Sequence, residues 1–475
     1  MRKPIALLAV IITLTLLHWA VLALNIPLLE LLPYWHWKQY LTPLPMWWIL
    51  PPLAAIAGVV VHRVLTRPQQ VAANVALLIL LGYCIQFSFG HMPGLGMYGL
   101  TSRMTQTDHA AFAKVAARRA DMSYVLRNYY ELIKAGELSP HPHSTKPPGQ
   151  LLFYMLTEHV SRVLLPGDRP PLDRLTLFAA LTYPLLTYLV LIPLYFLSRL
   201  LLPKEHALLP LLLYVFVPNT TLMTLHLDQC LYPLLFVVPL CLFLYGLERR
   251  HICLCFLAGL AACMSMFVSF SLVPLLAFPF IYTALAMGAP PGGRSCAEPS
   301  ARPGRRLFPG TILYLLGFAC GYAFLRLAAG YSAVDGYMLA MARHHGAKIT
   351  DWTCGNIAYV GVLDIIEFTV WIGMPLFVLF AADQVGSLLK LHRRKLDPVG
   401  ATSLSLLAIV LLMAFAGRTV AETGRLWLFV VPLFCLSAAA MLPDAFEKRY
   451  RTVTGILVAL QLITVLLMKA FHDFY

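Results

Sequence analysis

The chain has 475 residues, of which 59% are hydrophobic and only 12% charged, and its mean hydropathy is +0.74. Soluble domains carry about 25% charged residues, so a single water-soluble core is excluded and a polytopic membrane protein is expected. The net charge of +14 does not indicate a nucleic-acid binder. Most basic residues cluster in short loops between apolar runs, which is how the positive-inside rule appears in a sequence, and no basic-aromatic surface module accompanies them.

The first apolar run, Ile5 to Leu24, follows Met1-Arg2-Lys3. It is longer than the roughly 7–15 residues of a signal-peptide core, so it is expected to stay as a first helix. Further runs at 46–62, 71–88, 175–197, 207–218, 231–247, 252–268, 271–288, 308–329, 358–382, 401–416, 426–442 and 453–470 bring the expected set to about thirteen spans. With the N-terminus inside, the short inner loops 63–68, 198–206, 248–251, 289–306, 383–398 and 443–451 each carry at least two Lys or Arg. That bias predicts a cytoplasmic N-terminus and a C-terminus on the far side. It also makes 289–306 and 383–398 cytoplasmic linkers within one domain, 1–475.

Alternation places the longest loop, roughly 89–174, outside. Two helical stretches are expected in it. One begins at Asp108, capped by Thr105 or Thr107. The next restarts at Asp121 or Ser123 and stops at Gly136. After Pro147-Pro148, the amphipathic run Gln150–Leu165 is expected to lie on the outer membrane surface rather than cross it. The ten cysteines lie mostly within apolar runs, as small buried hydrophobes do. Only Cys230 and Cys354 fall near outer loops, where a pair would be conceivable.

Chemistry is expected where polar residues interrupt these runs. In HPHSTKPPGQ, residues 141–150, the prolines suit the first turn of a helix. Lys146, with His143, would then add cationic character at a helix N-terminus, a combination that suits phosphate; a solvated Lys before a plain helix is the simpler alternative. Asp108, beside His109, opens another helix and offers a general base for an acceptor hydroxyl, or merely a favourable helix-dipole contact. Asp121 is the second choice for the base. His226 with Asp228, and Glu422 with Arg425 and Arg418, stand at outer span ends as further substrate-binding candidates. Of these, Arg425 suits a forked contact to phosphate. One His and one Asp are too few for a metal site.

The Thr107–Ala113 segment TDHAAFA and the later Lys146–Leu152 segment KPPGQLL together resemble the first periplasmic loop of the GT-C superfamily, and especially the lipid A aminoarabinose transferases and protein O-mannosyltransferases. The stretch from Gly167 to Arg174, leading to Pro203, is similar to that family's next segment. Three expected spans precede the Asp-bearing loop here, where those relatives carry one. The resemblance implies an all-α membrane protein of GT-C type and an inverting transfer of sugar from a polyprenyl-phosphate donor. The acceptor would be an extracytoplasmic lipid, glycan or protein. Asp108 would be the base, with Lys146, Arg425 and His143 on the donor phosphate. No metal or other cofactor is implied, and a bacterial inner membrane is the expected location. A transporter or lipid-linked-sugar flippase is the main alternative, although span centres read as nearly free of charge. A lipid-linked glycan ligase or polymerase is another.

Overall fold

In a computed structural model, the described residues are 2–24, 26–27, 30–35, 37–106, 110–223, 227–249, 251–288, 304–348, 353–417, 419–420 and 422–472, without the side chains of 2, 3, 103, 140, 141, 227, 228, 304, 305 and 344–348. Among these residues the protein is all-α, with no strand beyond one isolated bridge, Tyr40 to His472. Ten helical segments are long and apolar enough to cross a membrane, including Pro4–Ala23, Val71–His91, the 31-residue Pro171–Leu201 and the 44-residue Leu428–Phe471. Cys253–Val268 and Pro398–Ala414 are apolar but shorter.

Several expected boundaries move for identifiable reasons. The run at 207–218 holds only a seven-residue helix, Leu209–Val215, followed by Pro218–Met223. The break expected near Ser269 is present: Cys253–Val268 ends there and Pro274–Met287 begins after a 3-10 turn at Phe270–Leu272. The single span at 358–382 is instead two helices, Cys354–Ile372 and Met374–His392, divided at Gly373. Gly373 has φ +84, a left-handed conformation that costs glycine little. The helix continues to His392, so residues 383–392 are not linker. Asp383, expected in a linker, thereby lies mid-helix, an exception to span centres nearly free of charge. Its Oδ2 accepts hydrogen bonds from Ser403 at 2.5 Å and Ser437 at 2.6 Å, which satisfies it among three helices.

The region expected to be the long outer loop is a packed helical subdomain. Gly96–Gln106, which the sequence reading did not anticipate, contains Thr105; that hydroxyl donates to the Ser102 carbonyl within the helix and so does not cap the next one. Ala110–Arg118 and Met122–Lys134 follow. Asp121 caps the latter by accepting from the Tyr124 N–H at 2.9 Å, and Gly136, at φ +74, ends it. Pro148–Leu164 is a helix as expected, with Pro148 in its first turn, and it is not among the ten span-length segments. Phe112, Val125, Tyr129, Leu132, Leu151 and Tyr154 form a core of their own. It continues into Leu175, Ala179 and Tyr183 of the Pro171–Tyr188 helix, which fastens the subdomain to the bundle.

A buried ion pair reinforces that junction. Glu158 Oε1 and Oε2 each accept at 2.9 Å, from Arg174 and Arg162 respectively. The Glu158 side chain is 4% exposed and that of Arg174 10%, against 54% for Arg162. Removing the carboxylate strands a buried cation, so Glu158→Ala is expected to cost about 3–5 kcal/mol, whereas Arg162→Ala should cost about 0–1 kcal/mol. Thermal unfolding in detergent compares the two, and similar losses would contradict this ordering.

Candidate active site

Residues far apart in sequence meet around the N-terminal end of the Tyr232–Glu248 helix. The half-buried Lys146 reaches it from the helical subdomain, and its Nζ donates to the Tyr232 hydroxyl at 3.5 Å. The backbone behind Lys146 is fixed by the buried Tyr129, whose hydroxyl donates to the His143 carbonyl at 3.0 Å and the Lys146 carbonyl at 3.3 Å. One turn along the same helix, Phe236 packs on Phe429 at 4.8 Å between ring centres. Phe429 belongs to the turn that follows the short helix Thr423–Leu426 and its Arg425.

Asn219 and Cys230 close the arrangement. Asn219 donates to the Gly424 carbonyl at 3.1 Å. Cys230 is buried in the same core as Leu151 and Tyr154. From the other side come two buried carboxylates of the Cys354–Ile372 helix: Asp364 accepts from Thr419 at 2.9 Å, and Glu367 accepts from the Gly424 N–H at 3.1 Å. Arg425 itself pairs with Glu422 at 3.1 Å. The structure therefore brings Lys146, Glu422 and Arg425 to segments that share the end of one helix.

The helix start behind Lys146 is not open in the way the sequence suggests. Pro147 to Gln150 are all buried, and Gly149 lies so close to the Phe267 carbonyl that no Cβ would fit. The helix dipole is thus covered, and Lys146 is the group that presents charge. His143 is also buried, against the Phe112 ring at 4.5 Å, with Nδ1 3.1 Å from the Ser139 carbonyl. Burial pushes its pKa down to about 4, with the Ser139 hydrogen bond working the other way. At neutral pH this histidine is uncharged, which does not fit a cationic role on phosphate. Asp121 is exposed and engaged as a helix cap.

Asp108, His109, His226 and Arg418 lie outside the described residues. Asp228 is in the 3-10 turn Leu227–Leu231, with its side chain outside the description. Cys230 is buried and Cys354 is exposed.

Several residues of this region escaped sequence reasoning. The side-chain amides of Gln150 and Gln229, both fully buried, and the Oδ1 of Asn219 have no hydrogen-bond partner among the described residues. Native interiors rarely leave such groups unmet. Tyr232 carried no signal, since a tyrosine at a span boundary is ordinary. Asp364 and Glu367 did carry one: carboxylates three residues apart in an apolar run mark a functional region by default.

Comparison with known proteins adds little to this geometry. No protein-family model matches the sequence, and no curated protein matches it. Among solved structures, it is similar to the archaeal oligosaccharyltransferase AglB of Archaeoglobus fulgidus in complex with an inhibitory peptide and a dolichol-phosphate, at 14% identity and TM-score 0.43, covering 77% of this chain and 56% of that one. A second structure of that organism's oligosaccharyltransferase, with zinc and sulfate, gives 16% identity and TM-score 0.43 over 76% and 53%. The chain thus spans a little over half the length of these structures.

Buried neutral histidines make the fold acid-sensitive. His143, and His472 beyond the last helix, both have pKa values lowered to about 4 by burial. Their contribution is fully present above the unfolded value near 6.5 and is lost as pH falls through about 4. The melting temperature is expected to drop across that window. His143→Gln, which keeps a donor for Ser139 and cannot titrate, should flatten part of the drop; parallel profiles would exclude His143.

Proposed function

We propose that the protein is a membrane glycosyltransferase of GT-C type that moves a sugar from a polyprenyl-phosphate donor to an extracytoplasmic acceptor. One observation carries the reading: Lys146 and Arg425, 279 positions apart in the sequence, sit on segments that pack at the same end of the Tyr232–Glu248 helix. Two cations at the end of an apolar bundle suit a lipid phosphate whose tail lies among the helices.

In this reading, the acceptor hydroxyl oxygen attacks the anomeric carbon from the face opposite the phosphate. The new glycosidic bond forms as the bond to the phosphate oxygen breaks, and the electron pair leaves with the polyprenyl phosphate. The proton passes to Asp108, two residues ahead of the helix Ala110–Arg118. Lys146 and Arg425 stabilise the negative charge that builds on the departing phosphate. A single displacement inverts the anomeric centre and needs no paired acid and base carboxylates. Oligosaccharide, lipid and protein acceptors all meet the chemical requirement of one nucleophilic group. The short-loop charges fit a cytoplasmic N-terminus with the loop 89–174 on the outer side, and the membrane in this reading is a bacterial inner membrane.

The flippase reading draws on ionisable groups within spans: Asp364 and Glu367, which bond to Thr419 and Gly424, and the mid-helix Asp383. Its hydrogen bonds to two serines make it a satisfied helix-packing group.

The test is sugar transfer by reconstituted protein, offered a panel of labelled polyprenyl-phosphate sugars with lipid and glycan extracts. Wild type should transfer. Asp108→Asn should lose at least about a hundredfold, in line with the removal of a general base. Lys146→Ala should chiefly raise the donor KM. Label that crosses the bilayer unmodified, with no transfer from any donor, would replace this reading with the flippase.

A further inference from the structure

The loop that carries Arg425 is held from beneath by groups with no role in the chemistry above. Glu367 is 2% exposed, and its Oε1 accepts from the Gly424 N–H at 3.1 Å. Asn219, fully buried, donates to the Gly424 carbonyl at 3.1 Å. The two bonds bracket one α-carbon, so both backbone dihedrals of Gly424 are fixed, and with them the peptide that leads into Arg425. Gly424 is also pressed from the side. A Cβ there would lie 2.5 Å from Trp371 Cδ1 and 2.8 Å from Met223 Cε, so only glycine allows the approach. At the other end of the loop, the hydroxyl of Thr419 is tied to Asp364 at 2.9 Å. Asp364 and Glu367 lie three residues apart on one face of the Cys354–Ile372 helix. A helix with two carboxylates turned inward thus grips the loop at two points.

We propose that Glu367 is a positioning residue for Arg425. Its carboxylate holds the Gly424 peptide so that the guanidinium is preorganised for the phosphate of the lipid donor. The inference rests on the donor-phosphate reading of Arg425. Preorganisation matters because a long, flexible cation otherwise loses rotamer freedom when it binds. Glu367 also bonds to the side chains of Trp37 and Thr423, which fix its carboxylate in place, and it acts on Arg425 through the backbone of Gly424.

The test measures binding of tritiated undecaprenyl phosphate and of undecaprenol, which lacks the phosphate, to the purified full chain in nanodiscs. Wild type should prefer the phosphate, and Arg425→Ala should lose most of that preference, with Lys146 keeping the remainder. Glu367→Ala should reduce it roughly tenfold, the usual scale for a lost buried hydrogen bond, while undecaprenol binds as before. Glu367→Gln keeps an acceptor oxygen for Gly424 and should retain most of the preference. A general structural defect would instead weaken both lipids together and would overturn the proposal. So would an intact preference in Glu367→Ala when Arg425→Ala has lost most of it. An intact preference in Arg425→Ala would sink the underlying donor-phosphate reading and this inference with it. Should Glu367→Ala fail to fold, Asn219→Ala releases the other side of the same α-carbon. Loss of preference there supports the proposal, and its retention refutes it.

Discussion

A backbone N–H or C=O left unpaired in hydrocarbon costs several kcal/mol, and that cost organises this chain. Helices meet it internally, and the places where helices break need another answer. At three of the breaks a side chain supplies it. At the Gly373 break, Gln461 donates to the Ile372 carbonyl at 2.9 Å. At Ser269, the side chain accepts from the Ser271 N–H at 3.3 Å. At the Thr423–Leu426 turn, Asn219 and Glu367 take the two backbone groups of Gly424. These polar residues mark interruptions of helix, and the one at 423–426 lies beside the candidate site.

The helical subdomain solves a different problem. A Lys on an isolated loop would spend most of its time in water. Here Tyr129, itself buried in the subdomain core, bonds to the backbone on either side of the turn that carries Lys146. The core is continuous with the Pro171–Tyr188 helix, and Glu158 with Arg174 secures the same junction. The cation is thus mounted on a rigid support whose packing extends into the membrane bundle. Arg425 is mounted by other means, since it sits on a short turn gripped by a buried carboxylate. Both devices reduce the motion of a long side chain before a ligand arrives.

The sequence showed much of this directly. Apolar runs separated by basic loops required a polytopic helical protein, because composition and length alone decide whether a segment can lie in a bilayer. Asp121 as a cap, Gly136 as a stop, Pro148 in a first turn and the break near Ser269 were all visible, because caps and breakers act within a few residues. The split at Gly373 was hidden by the unbroken apolarity of 358–382, which hydropathy reads as one run. The helix Gly96–Gln106 was hidden for the opposite reason: it is too polar to stand out and is stabilised by packing against its neighbours rather than by its own pattern.

For the candidate site, the sequence by itself determined which residues are available: a Lys before a proline pair, an Arg after a Gly, and carboxylates within an apolar run. The tertiary structure alone decided their use. It buried His143 and so left it neutral, covered the helix start at Gly149 with Phe267, and turned Glu367 inward to Gly424. It also set Tyr232 beneath Lys146 across 86 residues of chain. Propensity and capping are local and can be read along the chain. Burial, and with it charge state and access to a ligand, depends on which distant helix arrives to cover a group, and no short stretch of sequence contains that.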